Sequence, residues 1–156
     1  MKIELLLVGK TVSRPFVEGI DDYTKRINHY LPYTLTVISE LKNTKSLSEQ
    51  QQKKAEGELI LKRLQPGDYV VLLDEHGKEF RSIEFAAWLE RKQHTVQRLV
   101  FIVGGPYGFA TEVYNRANEQ LSLSKMTFSH QMIRLIFTEQ IYRACTILKG
   151  EPYHHE

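Results

Sequence analysis

Arg134 and Arg143 stand nine residues apart near the end of the chain. On a helix that is two and a half turns, which puts them on roughly opposite faces. Each is either a surface charge or a planar fork that grips phosphate, carboxylate or an anionic base through parallel hydrogen bonds. Gly104-Gly105-Pro106-Tyr107-Gly108 offers backbone that a ligand can approach closely. Pro106 breaks the dinucleotide glycine pattern, so the segment reads either as a tight turn or as a ligand loop. Gly9-Lys10-Thr11 ends like a phosphate loop, but Glu4 stands where that loop needs its first glycine. A strand end followed by a turn is the reading there.

Other reactive side chains argue for little. Cys145, His154 and His155 lack zinc-ligand spacing, so no metal is expected. His154-His155 reads as a solvated tail. Cys145 lies among Ala144, Ile147 and Leu148, which predicts a small core residue. Ser129 and His130 are neighbours with no identifiable acidic orienter, which argues against a hydrolase triad.

Alternating strands and helices must position these groups. Ile3–Val8 is an apolar run closed by Gly9, a buried strand. Ser13 and Pro15 open a helix reaching Tyr30. Thr34–Ile38 alternates and is β-branched. Ser46 and Glu49 form a capping-box pattern, predicting a polar helix to Leu64. Gln50-Gln51-Gln52-Lys53-Lys54 within it reads as a solvated face. Tyr69–Asp74 and Arg98–Val103 are buried strands. Ser82 is placed to cap a helix carrying Phe85, Trp88 and Leu89, and Thr111 to cap a short one ending near Asn118. Leu121–Phe128 is strand-like, and Gln131–Leu148 is a long helix with Ile133, Ile136, Phe137, Ala144 and Ile147 along one side. Continuous apolar strands between helices predict a single α/β domain, residues 1–156. Its sheet is expected to be mostly parallel and covered by helices on both faces. Ligands in such sheets bind beyond the carboxyl ends of the strands, here after Leu73, Val103 and Leu123.

Length and composition set the outer limits. The chain has 156 residues, long enough for a sizeable core. Hydrophobic residues make up 42% and charged residues 26%, which excludes a disordered or collagen-like chain. A single cysteine excludes an intrachain disulfide and points to a reducing, cytoplasmic setting. The apolar start is short and interrupted by Glu4, so no secretory leader is expected. No apolar run approaches membrane-spanning length. Lys and Arg total 21 against 19 Asp and Glu, a net charge of +2. That balance permits an RNA partner without requiring one.

Three stretches are distinctive together. They are Leu121-Ser122-Leu123-Ser124-Lys125-Met126-Thr127-Phe128-Ser129-His130-Gln131-Met132-Ile133-Arg134, then Glu139-Gln140-Ile141-Tyr142-Arg143-Ala144, then Gly150-Glu151-Pro152-Tyr153-His154. With Leu73-Asp74, Gly77-Lys78 and Val103-Gly104-Gly105, the whole chain resembles the SPOUT superfamily. The likeness is to its bacterial methyltransferases of N3 of a pseudouridine in large-subunit (23S) ribosomal RNA. Ser129 departs from the pattern, which commonly has proline there. The resemblance implies a C-terminal trefoil knot, a homodimer, and S-adenosylmethionine as methyl donor. It places the cofactor against Leu73, Gly104, Leu123, Ser124, Lys125, Met126, Thr127 and Phe128. Those loops coincide with the strand ends selected above on general grounds.

Methyl transfer from a sulfonium needs no metal, and positioning is the protein's main work. The acceptor N3 must lose a proton, so a base or a stabilising cation is required. Under the resemblance, His154 or Tyr153 handles that proton or positions the base, and Arg143 stabilises negative charge on the pyrimidine or holds a phosphate. The near-neutral charge suits an assembled ribosome, where shape and ribosomal proteins add recognition. A SPOUT enzyme acting on transfer RNA is the nearest alternative, disfavoured by the lack of an appended RNA-binding domain. A non-catalytic ribosome-binding factor is disfavoured by the intact cofactor loops.

Overall fold

The computed structural model describes residues 1–156. Strands β1 (Lys2–Val8), β2 (Tyr33–Ile38), β3 (Tyr69–Glu79), β4 (Arg98–Val103) and β5 (Glu119–Ser122) alternate with helices. The helices are α1 (Arg14–Ile27), α2 (Glu49–Lys62), α3 (Ser82–Thr95), α4 (Thr111–Arg116) and α5 (Met132–Leu148). All strand pairs are parallel, in the order β2-β1-β4-β3-β5. The expected α/β architecture is therefore present.

Period-two alternation along each strand divides the core into two layers. Leu5, Leu7, Val71, Leu73, Phe101 and Val103 share one layer with Ile27 of α1, Phe85 and Trp88 of α3, and Phe137 and Ile141 of α5. Leu6, Val70, Leu72, Val100 and Ile102 share the other with Ile60 of α2 and Val113 of α4. Both faces of each central strand are apolar because helices cover both. Full burial of one such side chain, Phe137 for instance, stabilises by roughly 1.5–3 kcal/mol. Glu119 pins β5 to its neighbours, accepting from Trp88 Nε1 at 3.2 Å and pairing with Lys92 at 3.1 Å.

Element ends differ from the sequence expectation for local reasons. The α2 capping box is Ser48 with Gln51, each side chain taking the other's backbone N–H at 3.1 and 2.9 Å. Ser46 instead ends a 3₁₀ turn that follows left-handed Asn43, so the helix starts two residues later. Ser82 and Thr111 are the first helical residues, with Arg81 and Ala110 at the cap positions. The Glu84 carboxylate accepts from the Arg81 N–H at 2.7 Å. The strand expected over Leu121–Phe128 stops at Ser122. Ser122 Oγ donates to the Ser124 carbonyl at 2.8 Å, and Ser124 Oγ accepts from the Met126 N–H at 2.9 Å. These side-chain bonds compete with the ladder and curl the chain away from it.

Candidate active site

The carboxyl ends of β3, β4 and β5 open on a cleft of about 440 Å³. Leu73, Gly104, Leu123, Ser124, Met126, Thr127 and Phe128 all line it. Lys125 is exposed and lies outside that lining. The curl after Ser122 is what brings the loop across the strand ends.

β3 supplies part of the wall that sequence reasoning missed. The strand was expected to end at Asp74, but it leaves its ladder with β5 after Leu73 and rejoins it at Lys78. The excursion carries Asp74, Glu75 and His76 into the cleft. Gly77 permits the return, because a Cβ there would lie 2.6 Å from the Gln120 and Leu121 backbone. Asp74 accepts from the Tyr114 hydroxyl and, at 2.9 Å, from the His76 N–H. Burial alone would raise the Asp74 carboxyl. These bonds outweigh it and hold the group below its ordinary value. Thr127 Oγ1 donates to Glu75 at 3.1 Å, tying the excursion to the loop after β5.

Gly104–Gly108 is both a tight turn and a cleft wall. Gly108 has φ +79, and its N–H reaches the Gly105 carbonyl at 3.2 Å. Glu56 of α2 holds the turn from behind, accepting from the Gly105 N–H at 3.1 Å. Burial pushes the Glu56 carboxyl up; the Gly105 bond offsets part of that, and the Glu40 charge adds to it.

Arg134 has no surface at all. Its guanidinium donates to the carbonyls of Val8 at 2.8 Å, Gly9 at 2.9 Å and His130 at 2.9 Å, and to Thr11 Oγ1 at 3.0 Å. Gln131 adds two bonds to the same turn, donating to the Lys10 carbonyl and accepting from the Val12 N–H. The start of α5 is thereby stitched to the end of β1. The surface-charge reading of Arg134 is wrong. Its spacing with Phe137, Thr138 and Ile141, all buried, is the signal that could have found it.

Arg143, Tyr153 and His154 do meet, on the opposite face of α5. Arg143 Nη2 donates to Glu139 at 2.6 Å, and Nη1 lies 3.0 Å from His154 Nδ1. Tyr153 donates to the same Glu139 oxygen at 2.8 Å, and its ring lies 4.8 Å from the Arg143 guanidinium carbon. Arg143 is three-quarters buried, so it too is no surface charge. Burial first, then its bonds to Tyr23 and Glu139, push the Tyr153 phenol well above its ordinary value. The tail His154 is half-buried in this cluster rather than solvated. The hub, Glu139, was not singled out by residue type. Ile133 lines the cleft, and Arg143 lies ten residues further along α5, about 15 Å down the axis.

Ser129 replaces a proline without loss of order. Its Oγ accepts from the Met132 N–H at 3.1 Å, and its carbonyl from the Ile133 N–H at 3.0 Å, so it caps the start of α5. No group of three or more His, Cys, Asp or Glu side chains is placed to hold a metal. No helix is long and apolar enough to cross a membrane.

Comparison with known proteins agrees with this geometry. The family model described as "Predicted SPOUT methyltransferase" matches residues 1–154. A Phocaeicola vulgatus protein named "Ribosomal RNA large subunit methyltransferase H" is 66% identical over the full length of both chains. A protein of the same name from Christiangramia forsetii is 54% identical over 99% of each. The solved structure of a probable methylase family protein from Haemophilus influenzae shares the fold, with TM-score 0.53 and 13% identity, over 99% of this chain and 70% of the other. A cleft built from the loops after three parallel strands, in a chain that the family model matches almost end to end, has one placement: this protein belongs to the SPOUT methyltransferase family.

Proposed function

We propose that the chain methylates N3 of a pseudouridine in large-subunit ribosomal RNA, taking the methyl group from S-adenosylmethionine. The acceptor is the assembled ribosome. The working form is a cytoplasmic homodimer, each protomer one knotted domain spanning residues 1–156. The observation that carries this reading is the cleft itself. It lies where the resemblance puts the cofactor, in a chain about two-thirds identical to relatives named for large-subunit ribosomal RNA methylation.

The cleft fits the cofactor. Its volume falls in the range of about 300–1,000 Å³ typical of ligand pockets. Leu73, Val103, Leu121, Leu123 and Ile133 give apolar walls for an adenine-sized ring. Asp74 and Glu75 add negative charge for a sulfonium or ammonium group. When bound, S-adenosylmethionine supplies a methyl already activated by its sulfonium.

The chain's own task is to hold the acceptor and make its N3 anionic. Arg143 is a permanent cation, three-quarters buried, and it stabilises negative charge on the pyrimidine better than an exposed one would. Tyr153 keeps its proton, so it acts by orienting Glu139 and Arg143. His154 fixes the other arm of the fork. The knot is supported by the stitching of Gln131 and Arg134 to the turn after β1. The dimer is supported by Val12 and Met132, exposed apolar side chains that this stitching brings to one edge.

The test is transfer of labelled methyl to assembled ribosomes lacking the modification, with free large-subunit RNA alongside. Label in one pseudouridine of assembled ribosomes is the expected outcome. No label on ribosomes, despite cofactor binding, would redirect the search to transfer RNA.

A further inference from the structure

A second cavity of about 260 Å³ lies beside the cofactor cleft. Leu121, Ser122 and Leu123 line both, so the two are neighbours across one short stretch of chain. The remaining walls are Phe80, Ser82, Phe85, Ile136 and Gln140. Along α5 the order is regular. Ile133 faces the cleft, Ile136 and Gln140 face the cavity, and Arg143 follows one turn later.

The tail borders this cavity through a chain of polar contacts. Arg81, between Phe80 and the cavity-lining Ser82, pairs with Glu156 at 3.2 Å. Glu156 lies 3.6 Å from His154 Nε2, and His154 meets Arg143. Arg143 and Gln140 both donate to Glu139, the latter at 2.9 Å. The groups assigned above to the acceptor therefore cluster at this cavity, about 15 Å along the helix from the residue that opens the cleft.

We infer that this cavity receives the target base, a pyrimidine turned out of its RNA strand. The inference rests on the RNA-methyltransferase reading given above. The volume is too small for a nucleotide cofactor and suits a single ring. Phe80 and Phe85 offer aromatic surface for stacking. Ser82 and Gln140 offer polar groups to the ring edge. The Glu139 carboxylate only accepts hydrogen bonds, so the Gln140 amide must turn its NH₂ toward it. That leaves Gln140 Oε1 as an acceptor. A pseudouridine carries one more ring N–H than uridine, at N1, and that donor needs an acceptor once buried. Gln140 therefore selects pseudouridine over uridine.

Trp88 is the only tryptophan, and its ring lies 5.6 Å from Phe85 and 6.1 Å from Phe80. Its fluorescence reports the cavity without any methyl transfer. The experiment titrates full-length protein, loaded with S-adenosylhomocysteine, with pseudouridine 5′-monophosphate and with uridine 5′-monophosphate. Ser82→Phe, which fills the cavity, and Gln140→Leu are compared with the wild type, and each is also assayed for methyl transfer to ribosomes. The expected result is a saturable Trp88 change, about tenfold tighter for the pseudouridine nucleotide, as one satisfied buried donor gives. Ser82→Phe abolishes the change and lowers methyl transfer by about 100-fold, with S-adenosylhomocysteine affinity unchanged. Gln140→Leu removes the preference for pseudouridine. No saturable change in the wild type, the same change in Ser82→Phe, or wild-type methyl transfer by Ser82→Phe overturns the inference. A saturable change lost in Ser82→Phe, in a protein that labels no ribosomal RNA, upholds the cavity and defeats the ribosomal reading instead.

Discussion

Arg143 donates through Nη1 to Nδ1 of His154 across 3.0 Å. A guanidinium has no acceptor, so Nδ1 must accept, and the neutral ring carries its proton on Nε2. In this arrangement His154 takes up no further proton at either nitrogen. It braces the arginine rather than serving as the base. Arg143→Met is expected to lower methyl transfer by about 100-fold or more, the scale of losing an oriented charge at the reacting group. His154→Ala should cost less, about tenfold, because Glu139 still holds the other arm. Calorimetric titration with S-adenosylhomocysteine should give wild-type affinity for both. Equal loss of binding and transfer would remove the tail from the acceptor side.

Arg134 predicts a stability effect. Its four partners are uncharged, three of them main-chain carbonyls. Arg134→Met fills the volume but strands those acceptors, two of them at the end of β1. Each buried unmet acceptor costs about 1–3 kcal/mol, so a loss near 3 kcal/mol is expected in urea unfolding. Gln131→Ala, at the exposed side of the same stitch, should cost about 1 kcal/mol. Indistinguishable midpoints for wild type and Arg134→Met would show that the turn does not need its clamp.

The acid limb of stability should have two parts. Asp74 and Glu119 are both held below their ordinary values, 3.8 and 4.5; in each, hydrogen bonds outweigh the upward push of burial. Their contributions are complete above those ordinary values and are lost as pH falls through the lower folded values. Glu56 runs the other way. Burial raises it, so its contribution is complete below 4.5 and is lost as pH rises through its folded value. Lowering the pH from neutrality therefore relieves Glu56 first and removes Asp74 and Glu119 afterwards. Urea midpoints across pH should hold or rise slightly before falling below about pH 4. Glu56→Gln should abolish the rise, and Glu119→Gln should shallow the fall.

Burial pushes the Cys145 thiol up to about 12, and the side chain is 3% exposed. Thiolate is the reactive form. Iodoacetamide should therefore modify native protein only as fast as it unfolds. Modification in native buffer at the rate of free cysteine would contradict the packing of α5 against the sheet.

The sheet was legible because its evidence is local. β1, β3 and β4 are continuous apolar runs, and such runs need cover on both faces. The loops after Leu73, Val103 and Leu123 followed from the rule for open parallel sheets. What was not legible depends on distant partners. The β3 excursion needs Gly77 against the Gln120 and Leu121 backbone, a contact between segments over forty residues apart. The end of β5 turns on two serine side chains choosing carbonyl and amide partners over the ladder. Arg134 reads as polar in any window, and only the Val8 and Gly9 carbonyls, more than 120 residues upstream, explain its burial. The shared hub at Glu139 arises because the tail folds back along α5, which no helical period reveals.

The same clamp sets an order of events in time. The first strand is made first, yet the carbonyls of Val8 and Gly9 meet their donor only when residue 134 has been synthesised and α5 has formed. Contacts of such long sequence separation are entropically late. A nascent chain carrying four strands and the first helices still has an open seam at its own beginning. The molecule is sealed by its last quarter, so its folding is completed near or after the end of synthesis rather than domain-first along the chain.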